Sequence, residues 1–174
     1  MQILKPCLLL TWVVIFSCAQ RPAANKGTRW MTLQQVADSL QQQPKPVLID
    51  LYTDWCGWCK VMDKKTYSNK KVADYLQQKF YTVKVNAEAR QDIDWNGRHY
   101  TFNEAYNTHN FALYLTRGRL SYPTTVIIPV NGEPEAIPGY MSPAELELIV
   151  KYFGEGNYGK RTFEEFRRDF KTKW

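Results

Sequence analysis

Cysteine and histidine are scarce in this chain, whose 174 residues include four of the first and two of the second. A structural zinc site needs about four ligands. Cys7, Cys18, Cys56 and Cys59, with His99 and His109, offer no second Cys-X-X-Cys pair to complete one, so no metal site is expected. A long apolar run is missing as well. The mostly apolar stretch from Pro6 to Phe16 falls short of the roughly 20 residues that span a bilayer, which argues against a lasting transmembrane anchor. There are no internal repeats or long low-complexity tracts, and 44% hydrophobic with 14% aromatic residues suits one compact domain. No recognised nucleic-acid motif accompanies the formal charge of +6, so no nucleic-acid partner is expected.

What is present is concentrated in Trp55-Cys56-Gly57-Trp58-Cys59-Lys60, which places two thiols two residues apart. That spacing suits reversible disulfide chemistry. Before it lies Val47-Leu48-Ile49-Asp50-Leu51-Tyr52, a strand-like apolar run with one acid six residues ahead of Cys56. A strand ending near Thr53 and a helix starting at Cys56 or Gly57 would set Cys56 at the helix N-terminus, where unpaired N–H groups and the helix dipole favour a thiolate. A free cysteine titrates at about 8.5, and helix N-termini and Cys-X-X-Cys contexts lower this to roughly 3.5 to 7.5. Cys56 is therefore the expected nucleophile, and Cys59, one turn further in and expected to be more buried, the resolving thiol. A purely structural disulfide is the weaker reading, since so short a loop restricts the unfolded chain very little. Asp50, between Ile49 and Leu51, would be costly in an apolar strand unless paired or protonated. Its pKa is expected to be raised, which would let it take the proton from Cys59 as that thiol attacks.

The segment Asp50 through Lys60 resembles the active site of the thioredoxin family, including the tryptophan before the first cysteine. Val83-Lys84-Val85-Asn86 resembles the family's next central strand, Tyr122-Pro123-Thr124 its cis-proline loop, and Gly139 the glycine before its last helix. The similarity covers about residues 30 to 153 and is nearest to bacterial thioredoxin-related envelope proteins with a Trp-Cys-Gly-Trp-Cys-Lys centre. It implies an α/β thioredoxin fold, a central mixed β-sheet flanked by helices, here with an insertion before the cis-Pro loop and an extra C-terminal helix. It also implies that Lys84 lies near Asp50 and tunes the exchange. A substrate chain would lie against Trp55, Gly57, Trp58, Tyr122 and Pro123, pairing with the backbone of Tyr122. The implied partners are protein disulfides and an upstream thiol-disulfide electron donor or acceptor; no cofactor is implied, and the protein is expected to be a monomer. The implied activity is thiol-disulfide exchange on exported proteins, as a reductase or isomerase rather than an oxidase. Its alternative is a thioredoxin-like binding or chaperone module with incidental cysteines. Trp58 and Tyr122 depart from the common thioredoxin residues, which leaves the direction of electron flow open.

Residues 1–19, with Lys5 ahead of the apolar run and small residues after it, read as an export signal. Two processing routes remain. Ile15-Phe16-Ser17-Cys18 resembles a lipobox, which would leave Cys18 as a lipidated N-terminus and anchor the protein to a membrane of the cell envelope. Ser17-Cys18-Ala19 also fits cleavage after Ala19, releasing the domain into the periplasm. Either route leaves Cys56 and Cys59 as the only free thiols. Residues 20–29 read as a tether, 30–153 as the thioredoxin-like domain, and 154–174 as an amphipathic helical extension with Phe163, Phe166 and Phe170 on one face.

Within the domain the pattern predicts helices near residues 32–42, from Cys56 toward 65, and near 72–78, 111–117 and 143–153. Strands are expected at 47–52, 80–85, 124–128 and 135–137. The stretch 87–121 is the insertion, and Asn96-Gly97 marks a hairpin in which Ile93 faces Tyr100 and Asp94 faces His99. His99 is expected to hydrogen-bond Asp94, and His109 to lie at the surface. The insertion is expected to help select the partner.

Overall fold

A computed structural model describes residues 27–174; the expected export signal, Cys18 and most of the expected tether lie outside the described residues. Four strands form the central sheet. β1 (Val47–Tyr52) is flanked by β2 (Tyr81–Asn86), parallel to it, and β7 (Thr124–Ile128), antiparallel to it, and β8 (Glu135–Pro138) pairs antiparallel with β7. The mixed sheet expected from the resemblance is thus present. Alternation along β1 sends Val47, Ile49 and Leu51 to one face and Leu48 and Asp50 to the other. Five of its six residues are buried, as a strand at the centre of a two-sided sheet must be.

The first face packs against α1 (Leu33–Gln42), α4 (Asn110–Thr116) and the hairpin β3–β4 (Ile93–Trp95, Arg98–Tyr100) through Val36, Phe111, Leu115 and Trp95. The second is covered by α2 (Gly57–Met62), α3 (Lys70–Lys79) and α5 (Pro143–Gly154), with Met62, Tyr67, Leu76 and Leu146 in its core. Helix starts are local in origin. Thr32 and Ser142 each close a capping box, with Gln35 and Glu145, as hydroxyl and amide or carboxylate side chains satisfy the free N–H groups of the first turn.

The insertion is part of the core rather than an appendage. Asn96 and Gly97 take positive φ, 50° and 73°, as a two-residue turn with right-handed strand twist requires, and set Ile93 opposite Tyr100 and Asp94 opposite His99. His99 Nδ1 lies 2.7 Å from Asp94 Oδ1, as expected. His109 departs from expectation: it is fully buried. The residue ends β6 (Thr108–His109), paired with β5 (Phe102–Asn103), and caps α4, its Nδ1 accepting the Phe111 N–H at 3.1 Å and its Nε2 lying 3.1 Å from the Gln91 carbonyl. A polar side chain that satisfies two backbone groups can be buried where a free one could not. Because Trp95, Phe111, Ala112 and Leu115 all belong to the buried core, deleting 87–121 would unfold the protein instead of isolating a selectivity element.

The C-terminal extension forms α6 (Phe163–Asp169), and Phe166 is its buried anchor against Tyr152 of α5. Beyond it the chain returns to α5, where Glu147 is fully buried. Its carboxylate accepts hydrogen bonds from Lys151 Nζ at 2.6 Å, Thr172 Oγ1 at 2.6 Å, and the N–H groups of Lys173 and Trp174 at 2.8 and 3.1 Å. Burial pushes this carboxyl up, but the four donors together outweigh it and hold it below the usual glutamate range. A depressed folded-state pKa makes the clasp stabilising above the unfolded value and weaker as pH falls through the folded one. Glu147→Gln is expected to cost about 1–2 kcal/mol at pH 7, from the charge-assisted hydrogen bonds weakened, with the deficit vanishing on acidification. Urea melts of both proteins across pH 3 to 7 measure it.

Candidate active site

β1 carries the chain to the edge of the second face, and the turn after it is held at both ends. The Cys56 N–H donates to the Thr53 carbonyl at 3.2 Å, and Trp55 Nε1 donates to Glu88 Oε1 at 2.9 Å. Cys56 then becomes the N-cap of α2, with extended backbone and its sulfur accepting the Cys59 N–H at 3.1 Å. Cys56 and Cys59 are joined by a disulfide, their Cα atoms 5.3 Å apart. The two residues are almost equally buried, at 4% and 3% exposure, so burial does not separate them as expected. Position does: one sits where backbone N–H groups are free, the other is enclosed in the first turn. Gly57 lies on the exposed side of that turn, and a Cβ added to it would meet nothing within 4 Å.

Beneath α2 a polar row crosses three strands. Lys84 of β2 and Thr125 of β7 are the register partners of Asp50 on either side, so the three side chains share the covered face. Asp50 is 1% exposed on a central strand, which excludes an acid turned to solvent. Burial pushes its carboxyl up from the ordinary value near 3.8 to about 6, with the Lys84 ammonium opposing. Lys84 Nζ lies 3.0 Å from Asp50 Oδ2 in an ion pair and nearer still to Asp63, whose Oδ1 and Oδ2 lie at 2.6 and 2.7 Å. Burial works to lower the Lys84 ammonium, but the two carboxylates outweigh it and the group stays charged.

Sequence reasoning brought Asp50, Lys84 and the cysteines into one neighbourhood but missed the cover over them. The helix expected to run on toward residue 65 changes at Asp63 into a π-helical turn, Asp63–Tyr67. That wider turn sets Asp63 against Lys84, and Tyr67 Oη 3.1 Å from Thr125 Oγ1. Burial first, then the charge of Asp50, holds the Tyr67 hydroxyl well above its usual range, so it stays protonated. A signal for Asp63 was available: it lies four residues after Cys59, one turn along the same helical face.

Beside Trp55 lies the Tyr122–Pro123 loop, with that peptide bond cis, as the resemblance implied. The Gly139 N–H donates to the Pro123 carbonyl at 2.8 Å, tying this loop to the segment that carries Tyr140. Two aromatic pairs border the cysteines: Trp55 edge-on to Tyr122 with centroids 5.8 Å apart, and Trp58 tilted against Tyr140 at 5.6 Å. Trp55 and Trp58 are 66% and 63% exposed, an unusual state for large apolar rings and one that suits a contact surface. Tyr140 is a further residue of this rim that the sequence did not single out.

Residues 17–153 match the family model Thioredox_DsbH, whose description reads "Protein of unknown function, DUF255". Human spermatogenesis-associated protein 20 is 30% identical over 61 residues, 35% of this chain and 8% of that protein. The thiol:disulfide interchange protein DsbD of Salmonella typhi is 33% identical over 87 residues, 49% of this chain and 15% of that protein. The matches thus span only a small part of these relatives' lengths. Among solved structures, one titled "DsbH Oxidoreductase" superposes with a TM-score of 0.54 at 17% identity, covering 87% of this chain and 95% of that one, which shows the shared fold.

Proposed function

Since the chain belongs to the thioredoxin-related family described by Thioredox_DsbH, we propose that it is a thiol-disulfide oxidoreductase with Cys56 as nucleophile and Cys59 as resolving thiol. One observation carries the reading: the Cys56–Cys59 disulfide sits at the N-terminus of the helix that covers the sheet face bearing the buried, protonatable carboxylate of Asp50. In the reduced protein the free N–H groups of the first turn favour the Cys56 thiolate, which attacks a substrate disulfide sulfur and expels the other substrate sulfur. Cys59 then attacks Cys56 within the mixed disulfide, its proton passing to Asp50, and the second substrate thiolate leaves. Each cycle reduces one substrate disulfide and oxidises the dithiol, which an upstream thiol donor must reduce again.

A base beneath the resolving thiol serves this reducing direction, so the protein is assigned as a reductase or isomerase. Its reduction potential tests the direction: a value near about −270 mV fits a reductant and one near about −120 mV an oxidant. Turnover of an unfolded protein disulfide tests the activity itself, and a Cys56→Ser protein equal to wild type would leave only a binding module. The site is proposed to work outside the cytosol, on exported proteins, through the signal and Cys18 lipidation or cleavage after Ala19 read from the sequence; the intact mass of the mature protein distinguishes the two routes. Among the described residues no helix is long and apolar enough to cross a membrane.

The aromatic rim is assigned to the substrate, together with Gly57 and the Tyr122–Pro123 loop. Trp58→Ala is expected to raise KM for an unfolded protein disulfide by roughly tenfold, the worth of about 1–1.5 kcal/mol of aromatic contact, with kcat little changed. Turnover of a small disulfide, which does not reach the rim, should be unaffected; steady-state kinetics on both substrates check it.

A further inference from the structure

We propose that Asp63 is a positioning residue for the buried Asp50, acting through Lys84; the proposal deepens the dithiol reading above and rests on it for its catalytic meaning. The ammonium of Lys84 stands between two carboxylates and divides itself unequally. Both oxygens of Asp63 receive it, at 2.6 and 2.7 Å, while Asp50 Oδ2 has the longer contact, 3.0 Å. A surface ion pair of this kind ordinarily contributes at most about 1 kcal/mol, and Asp63, 40% exposed at its side chain, would be unremarked in that role. What sets it apart is the competition: the cation it holds is the counter-ion of an almost fully buried acid.

The competition keeps Asp50 protonatable. Were the Asp63 carboxylate absent, Lys84 would be free to close on Asp50 alone, and a nearby negative charge would be lost at the same time. Both changes favour ionised Asp50, so they add. A weaker base is then left beneath Cys59. The balance of the resolving step shows why that matters: the Cys56–Cys59 bond forms, the Cys56–substrate bond breaks with its electron pair on the leaving sulfur, and the Cys59 proton needs an acceptor inside the protein.

The charged and titratable surroundings are few. Asp50 is faced by Lys84 from β2 and by Asp63 and Tyr67 from the π-helical turn, on the sheet face that α2 covers. Lys84 also lies over the rings of Trp30 and Tyr52, at 5.4 and 5.0 Å, and lines an open cavity of about 360 Å³ with Asp92 and Asp94, which are held by His99. The cavity gives Lys84 a route to water, and its own acids are tied to another partner.

Titration of the Asp50 carboxyl by carbon NMR in the oxidised full-length chain reads the effect without any turnover. Asp63→Asn is expected to lower the Asp50 midpoint by about one pH unit, as expected for a cation moving fully onto a carboxylate. Asp63→Glu should restore it, and Lys84→Met should raise it. An Asp63→Asn midpoint equal to or above that of wild type, or a Lys84→Met midpoint that does not rise, overturns the proposal. The rate of resolution of a Cys56 mixed disulfide against pH is the companion measurement, and its acid limb should follow the NMR midpoints. If the midpoints move as expected and the limb does not, Asp63 still positions Asp50, and it is the role of Asp50 as proton acceptor that fails.

Discussion

Cys56→Ser is expected to abolish turnover of protein disulfides, by at least about 1,000-fold, while Cys59→Ser is expected to complete the first half-reaction and then stop. Serine cannot replace the first sulfur, because exchange requires a thiolate and a hydroxyl stays protonated at neutral pH. The second substitution leaves the nucleophile at the N-cap of α2 and removes only the group that releases the substrate. Covalent complexes should therefore accumulate with Cys59→Ser, visible on non-reducing gels and by mass spectrometry, and be absent with Cys56→Ser. Equal trapping by both variants would mean that the roles of the two sulfurs are not divided as their places in α2 require.

Asp50→Asn is expected to make the protein more stable and its resolving step slower. The stability effect follows from linkage. Burial holds the folded-state carboxyl near 6 against a usual value of 3.8, so between those values the folded protein keeps a proton that the unfolded chain has released. Stability is therefore lost as pH rises through this window, and the full penalty stands above 6. At 1.36 kcal/mol for each pH unit the penalty reaches about 3 kcal/mol at most. Asparagine carries no such burden, so the variant should exceed wild type by up to about 3 kcal/mol at pH 8 and match it near pH 3.5. Urea melts of the oxidised proteins at the two pH values decide this, and an equal difference at both would show that the change in packing, not the charge, is responsible. A protein that retains a destabilising acid at its centre is expected to use it, as stability is commonly surrendered at functional sites. The sign is opposite to that of Glu147, whose donors make its ionised form stabilising.

The two acids show where sequence reading succeeds and where it stops. Asp50 was legible because its flanking residues are apolar and the run is short, and a strand of that composition has few places to go but the centre of a sheet. Glu147 lies in an equally apolar helix, Pro143–Gly154, and nothing around it announced that residues 172–174 would return to it. A contact between segments 25 or more residues apart leaves no local periodicity. The same holds at the surface of the insertion. The Asn96-Gly97 turn and the Ile93–Tyr100 and Asp94–His99 pairs were readable, since turn chemistry sets register over a few residues. The burial of His109 was not, because the carbonyl of Gln91 that receives its ring lies in another part of the insertion.

The sequence by itself determined the dithiol, its place at a strand-to-helix junction, the strands β1 and β7, the hairpin and the apolar face of α6, all of which depend on spacing within about one turn or a few alternating residues. The resemblance already implied Lys84 beside Asp50, which the parallel register of β1 and β2 bears out. What came from the three-dimensional fold was the second carboxylate, since the π-helical turn brings Asp63 onto the same ammonium. Which of two carboxylates holds one cation is a matter of ångströms between three separate elements, and no pattern along the chain encodes a distance of that kind.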